Sequence, residues 1–242
     1  MKNKLPILFG AVGLALATTT PAVSAPLSAN AAVTTNYIFR GISQSGAQSA
    51  VSAGLDYDAG AILPGLSVGT WASSIDFGDS TPMELDLYGS YTGNITDMFS
   101  YSVGIITYNY PNSPHNINYN WQEYWGGLAY NFGPFAVSGK IFYSPDYVNL
   151  SDNEIYYTGG VTIPIVSWLA LSANVGRTEM DHAFGAVIKS YTDWNVSLAA
   201  TFDAYTLTVG YAATDLDGAF KITSGPFETD DQFWVSIGFK LP

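Results

Sequence analysis

The chain has 242 residues, of which 20 are acidic, 8 are basic and none is cysteine, and its formal net charge is −12. The excess of acidic residues excludes a basic nucleic-acid-binding surface. The absence of cysteine excludes a disulfide framework and a zinc–thiolate site. Aromatic residues make up 15% of the chain and charged residues only 12%. Such a composition excludes a disordered chain, and it carries about half the charge of a typical soluble domain.

The first residues have the pattern of a secretory signal peptide. Two lysines precede a mostly apolar stretch, Leu5–Ala17, and small residues follow it up to Ala25 and Ala31. The apolar stretch is too short to cross a membrane as a helix, which takes about 20 residues. The pattern predicts a signal peptide over 1–25 that is cleaved after Ala25 or, alternatively, after Ala31.

From residue 33 to 242, apolar and polar residues alternate along most of the chain. The alternation predicts twelve strands of ten to twelve residues, at 33–43, 48–58, 65–75, 83–93, 99–109, 121–132, 134–143, 153–163, 168–177, 192–202, 204–213 and 230–241. Strands in soluble sheets usually have five or six residues, whereas a tilted strand that crosses a bilayer needs about 9–11. The sequence therefore predicts an all-β fold, a transmembrane antiparallel up-and-down β-barrel.

The connections between the predicted strands alternate between short and long, with the short first connection (44–47) as the exception. Short periplasmic turns and long extracellular loops are typical of a bacterial outer-membrane barrel. We therefore expect lipid and lipopolysaccharide to surround the barrel. We also expect the last strand, with Phe239 and Leu241, to be the signal that the barrel-assembly machinery recognises. Aromatic residues near strand ends predict interfacial girdles, formed by Tyr57, Tyr108, Trp121, Tyr130, Phe135, Tyr143, Trp168, Trp194, Phe202 and Tyr205.

Several short stretches carry a family resemblance. The clearest is 36–45, with the sequence Asn-Tyr-Ile-Phe-Arg-Gly-Ile-Ser-Gln-Ser, and others lie at 54–57, 69–77 and 84–89. These stretches resemble the TorF-type porins, a family first described as conserved proteins of unknown function. The resemblance extends over about 33–242. It implies an outer-membrane barrel with a porin role, and it supplies no catalytic residues and no particular substrate.

If the apolar face of each strand points to lipid, a set of polar and charged residues points into the lumen. These candidate pore-lining residues are Asn36, Arg40, Asp56, Asp58, Glu84, Asp86, Tyr88, Glu123, Lys140 and Glu154. Carboxylates outnumber cations in this set, and rings of acidic side chains favour cations. Twelve strands enclose more space than the filled eight-stranded barrels and less than the open 16-stranded porins. We therefore expect a monomeric barrel that forms a narrow passive channel for small cationic or polar solutes.

Two other functions fit the same pattern. The lumen charges could pair with each other and close a structural or adhesive barrel, or a barrel enzyme could act through its extracellular loops. The two histidines, His115 and His182, fall in predicted long loops, and no nucleophile elbow, phosphate-binding loop or dinucleotide fingerprint accompanies them. Asp215–Gly218 begins like a calcium loop but lacks the glutamate that such a loop requires. We therefore expect no enzyme, no cofactor, no metal site and no nucleic-acid partner.

Overall fold

The computed structural model of the protein describes residues 26–114, 118–149, 153–180 and 190–241. Within these ranges twelve of fourteen strands close into one antiparallel barrel, and the two others form a short hairpin. The barrel strands are β1 (Leu27–Thr34), β4 (Ala50–Asp58), β5 (Leu66–Ser74), β6 (Met83–Asn94), β7 (Phe99–Asn109), β8 (Trp121–Asn131), β9 (Ala136–Ser144), β10 (Glu154–Val166), β11 (Leu169–Met180), β12 (Tyr191–Phe202), β13 (Tyr205–Thr214) and β14 (Gln232–Leu241). The hairpin consists of β2 (Ile38–Phe39) and β3 (Ile42–Ser43), and two single 3-10 turns lie at Tyr147–Asn149 and Gly218–Phe220.

Strand β1 closes the barrel because it pairs on both sides. Val33 lies opposite Ile237 of β14 on one side and Val51 of β4 on the other. Every barrel strand therefore has two neighbours, and the sheet has no unpaired edge. The predicted twelve-stranded, antiparallel, all-β barrel is confirmed. In the ranges described above, no helix has the length and apolar character needed to cross a membrane.

The outer face of the barrel is apolar. Large side chains that alternate along the strands are more than half exposed, among them Val51, Leu87, Val175 and Ile237. A soluble protein rarely exposes a continuous apolar surface of this kind, whereas a barrel in a bilayer requires one. The alternation read from the sequence therefore reflects an exterior suited to lipid.

The first strand differs from its prediction. It spans Leu27–Thr34 instead of 33–43, so the barrel begins six residues earlier than the expected boundary at 33. Residues 35–49 leave the wall, fold inward and include the hairpin β2–β3. The first connection is therefore long, and the exception in the alternation of connection lengths disappears.

The connections define two ends of the barrel. We call one the short-turn end, with connections 59–65, 95–98, 132–135, 167–168 and 203–204, and the other the long-loop end, with connections 35–49, 75–82, 110–120, 145–153, 181–190 and 215–231. The N-terminus of β1 and the C-terminus of β14 both lie at the short-turn end. The first and last strands of the barrel therefore begin and end on the side of the short turns.

Aromatic pairs surround the short-turn end. Trp168 stacks on Phe202 with 5.3 Å between ring centroids, and Phe132 stacks on Phe135 at 4.7 Å. Two of the ten aromatic residues expected in the girdles belong elsewhere. Tyr108 and Trp121 are buried and stack on each other inside the barrel, because both lie on the inward-facing register of their strands.

Candidate functional site

Residues 35–49, which we call the lumen segment, cross the inside of the barrel at the long-loop end. Most of residues 36–45 are buried against inward-facing side chains of the wall. The tip of the segment is a two-residue turn between Phe39 and Ile42, with φ of +49° at Arg40 and +79° at Gly41. Two positive φ angles in succession are typical of a type I′ hairpin turn, in which asparagine, aspartate and glycine are favoured.

Gly41 meets two requirements at this tip. Besides its positive φ, it lies so close to the wall that a Cβ atom would be 2.5 Å from Cγ2 of Thr214 and 3.0 Å from Cβ of Asp193. A side chain at this position would push the hairpin away from β12 and β13. Gly41 therefore sets how deeply Arg40 enters the lumen.

Arg40 bridges two carboxylates on the opposite part of the wall. Its Nη2 donates to Oε1 of Glu123 at 2.6 Å, and its Nη1 donates to Oε1 of Glu154 at 2.7 Å. The guanidinium carbon lies 4.0 Å from the ring centroid of Tyr156 and 5.3 Å from that of Phe142. This combination of two charge-assisted hydrogen bonds and aromatic faces is favourable for a planar, delocalised cation.

The wall around Arg40 is itself tied together by phenol groups. The hydroxyl of Tyr108 donates to Oε2 of Glu123 at 2.9 Å. The hydroxyl of Tyr156 donates to Oδ1 of Asp193 at 3.3 Å. The wall of the pocket that holds the guanidinium is therefore built from β7, β8, β9, β10 and β12. The lumen segment supplies the occupant and one more aromatic ring, Phe39, whose centroid lies 4.6 Å from the guanidinium carbon.

A second anchor of the lumen segment is Glu84 on β6. Tyr37 donates its hydroxyl to Oε1 of Glu84 at 2.6 Å, and Tyr110 donates to Oε2 at 2.7 Å. The ring of Tyr37 also packs edge-on against Trp71, with centroids 5.4 Å apart. Both oxygens of this buried carboxylate are therefore satisfied by phenols.

A third anchor lies on β14. Asn36 donates to Oε1 of Gln232 at 2.6 Å and accepts a hydrogen bond from Ser43 at 2.7 Å. Gln232 in turn donates to the carbonyls of Gly41 and Glu228. The lumen segment is thus held at β6, at β8 with β10, and at β14, which lie around the circumference of the barrel.

The long-loop half of the lumen is strongly acidic. Five buried carboxylates lie there on the wall, namely Glu84, Asp86, Glu123, Glu154 and Asp193. Oδ1 of Asp86 is buried and has no hydrogen-bond partner among the described residues. Carboxylates collected in a low-dielectric space generate a field that attracts cations.

The remaining predicted lumen residues lie nearer the short-turn end. Asp56 accepts a hydrogen bond from Tyr88 at 2.7 Å, and Nζ of Lys140 lies 4.4 Å from the ring of Trp125. Asp58 is exposed at the end of β4 and accepts a hydrogen bond from the backbone of Gly60. The ten residues therefore form no single ring.

The long loops pack over the lumen segment. Phe77 contacts the rings of Tyr119 and Phe227, with centroids 5.2 Å and 4.8 Å apart, and so joins three loops. Tyr119 also donates its hydroxyl to Asp79 at 2.9 Å. Partial burial opposes ionisation of Asp79, but hydrogen bonds from Thr81 and Tyr119 outweigh it and lower the pKa of this carboxyl. His115 and His182 lie outside the described residues.

Several contributors to the site are absent from the predicted set. Asp193 borders the Arg40 pocket through Tyr156, Gln232 binds Asn36 of the lumen segment, and Tyr37 of that segment binds Glu84. Asp193 and Gln232 lie on the inward register of β12 and β14, so strict alternation alone could have found them. Tyr37 could not be found in this way, because the alternation of residues 33–43 predicts a barrel strand and not a segment inside the lumen.

Comparison with known proteins places the fold among porins. The NanC porin superposes with a TM-score of 0.59 at 14% identity, over 89% of this chain and 100% of that chain. The KdgM porin gives a TM-score of 0.60 at 9% identity, over 89% of this chain and 99% of that chain. At such low identities the likeness concerns the fold alone, and the search of curated proteins finds no match.

A family model described as "Bacterial protein of unknown function (Gcw_chp)" matches residues 18–240. The match includes the whole lumen segment and all of the described barrel except Leu241 at its end. The chain belongs to the Gcw_chp family of bacterial proteins, as a twelve-stranded porin-like barrel.

Proposed function

We propose that this protein is an outer-membrane channel for small cationic or polar solutes, and that the lumen segment narrows or closes its long-loop half. The observation that carries the proposal is the acidic lumen behind an apolar exterior. Carboxylates from β6, β8, β10 and β12 face inward, and acidic linings favour the passage of cations. The porin-like fold and the resemblance to TorF-type porins support the same role.

The proposal includes a location and an orientation. The short-turn end faces the periplasm, and the long loops face the lipopolysaccharide of the cell surface. On β14, Phe239 lies opposite the outward-facing Tyr205, as a lipid-facing signal for the barrel-assembly machinery requires. The role is passive, and it involves no catalysis.

Conductance of the refolded mature protein in a planar lipid bilayer tests the channel. We expect small discrete current steps and, under a salt gradient, a reversal potential that favours cations. Arg40→Ala removes the link between the lumen segment and Glu123 with Glu154, so we expect its conductance to rise at least about twofold. Arg177→Ala is the matched control, because Arg177 also contacts two carboxylates but lies at the exposed rim.

A closed structural barrel is the second candidate, and the burial of the lumen segment favours it. In that case the folded wild-type protein and the folded Arg40→Ala variant would both be silent. Anion-favouring reversal potentials in both proteins would instead retain a pore and contradict the acidic lining.

A further inference from the structure

We propose that the Arg40 pocket is a binding site for organic cations with a guanidinium or amidinium group, and that Arg40 is its internal occupant. A solute of this class competes with Arg40 for Glu123 and Glu154 and so releases the lumen segment from its anchor at β8 and β10. This inference rests on the proposed channel for its biological meaning. The site itself rests on the geometry of the wall.

The pocket is selective for a planar cation by its shape. Its two carboxylates lie on β8 and β10, and each accepts a hydrogen bond from one terminal nitrogen of the guanidinium. Between them, on β9 and β10, Phe142 and Tyr156 present ring faces to the guanidinium carbon. A compact ammonium cannot bridge two carboxylates with its donors in one plane, nor stack flat on an aromatic ring, whereas a guanidinium does both.

The pocket does not depend on Arg40 for its construction. Tyr108 holds Oε2 of Glu123, and both residues lie on adjacent strands joined by a regular ladder. Glu154 pairs with Ser144, and Tyr156 with Phe142, in the ladder between β9 and β10. These strands keep their register when the guanidinium leaves, so an empty pocket retains the carboxylates and the two rings that the wall supplies and loses only the ring of Phe39.

Arg40 leaves part of the pocket unused. Oε2 of Glu154 is buried and has no hydrogen-bond partner among the residues that the structure describes. The orientation of the Arg40 guanidinium is fixed by its tether, whereas a free guanidinium can rotate to donate to this oxygen as well. The pocket therefore offers a solute more hydrogen bonds than Arg40 takes.

The side-chain contacts of Arg40 hold this residue in a backbone conformation that arginine does not favour. Arg40 has a φ of +49° at the first turn position, where asparagine, aspartate and glycine are usual. The hairpin behind it has only two residue pairs. A cation that binds the carboxylates removes the contacts that offset this strain, and the balance then moves toward release.

Chemical rescue of Arg40→Ala tests the site without any current measurement. Methylguanidinium at millimolar concentration should raise the thermal unfolding temperature of this variant by several degrees and reach saturation. Methylammonium should not do so, and neither cation should stabilise Arg177→Ala. Arg40→Ala combined with Glu123→Gln should lose most of the methylguanidinium effect. Equal shifts in Arg40→Ala and Arg177→Ala would overturn the proposal.

Hydrogen–deuterium exchange of the wild-type protein tests the competition and needs no variant to fold. Methylguanidinium should speed exchange in 35–49, including the Ser43 amide that donates to the carbonyl of Glu228, at least about threefold relative to methylammonium. Identical exchange with both cations would overturn the competition. Rescue in a barrel that never conducts would reject the channel and keep the site, whereas conduction without rescue would keep the channel and reject the site.

Discussion

Replacing Arg40 with alanine should destabilise the protein more than the loss of any surface ion pair. The change leaves the carboxylates of Glu123 and Glu154 buried without their cation. The side chains of Arg40, Glu123 and Glu154 are 5%, 0% and 1% exposed, so water screens these charges little. Removing one partner of a buried ion pair costs about 3–5 kcal/mol. We expect the free energy of unfolding to fall by about this amount.

The variant Arg40→Gly separates the charge from the backbone. Both variants lose the guanidinium, but glycine adopts the φ of +49° at Arg40 without strain. A non-glycine residue in the left-handed region costs about 1–2 kcal/mol. Arg40→Gly should therefore be more stable than Arg40→Ala by about 1 kcal/mol, although alanine is normally the more favourable residue.

Equilibrium unfolding in urea, with the protein in phospholipid vesicles and followed by tryptophan fluorescence, measures these differences. Arg177→Ala is the control, because its side chain is 40% exposed and surface ion pairs contribute only about 0–1 kcal/mol. If the free energy of unfolding of Arg40→Ala lies within about 1 kcal/mol of that of the wild type, the buried ion pairs of Arg40 stabilise the protein no more than a surface pair does, and the reasoning is refuted.

Three further outcomes follow from the site and the first strand. Tyr37→Phe removes the 2.6 Å hydrogen bond to Glu84 and should cost about 1–3 kcal/mol in the same unfolding assay. Gly41→Ala places a Cβ atom 2.5 Å from Cγ2 of Thr214, so limited proteolysis should cut 35–49 faster than in the wild type. The intact mass of the exported protein should place its N-terminus at Pro26, because cleavage after residue 31 would remove more than half of β1.

The barrel wall could be predicted from the sequence because lipid imposes one rule on every strand. An outward side chain must be apolar, and its neighbours face a polar lumen, so the alternation is strict. The strand predicted at 204–213 is observed at Tyr205–Thr214, and that predicted at 99–109 is observed at Phe99–Asn109. The ends of the other strands after residue 49 differ from their predicted positions by at most three residues, because turn residues do not face lipid and need not be apolar.

The lumen segment could not be predicted by the same rule. Its residues alternate in the way that barrel strands do, because a short hairpin with one buried face has the same period of two. Alternation therefore predicted one strand over 33–43 and placed Asn36 and Arg40 on its inner face. Both residues do point into the lumen space, but from a hairpin that crosses it. The available signal was the Arg-Gly pair between apolar residues, where a two-residue turn fits.

Contacts across the lumen also cannot be predicted from the sequence of each strand taken separately. Alternation shows which face a residue occupies, but it does not show its height or its partner on a distant strand. Tyr108 and Trp121 were expected at the lipid interface because they lie near strand ends, whereas their register turns both inward against Phe39 of the lumen segment. Only the closed barrel brings β7, β8 and the lumen segment together.

The position of the stretch 36–45, which carries the family resemblance, matters more for function than for stability. A barrel of this size could fill its lumen with apolar side chains, and a buried ion pair is often no more stabilising than apolar residues of the same volume. This chain instead places a strained arginine between two glutamates on a short hairpin. In the competition proposed above, this arrangement holds while the charges pair and loosens when a second cation binds the two glutamates. On that proposal the lumen segment responds to the solute that reaches it, which a lumen filled with apolar side chains could not do.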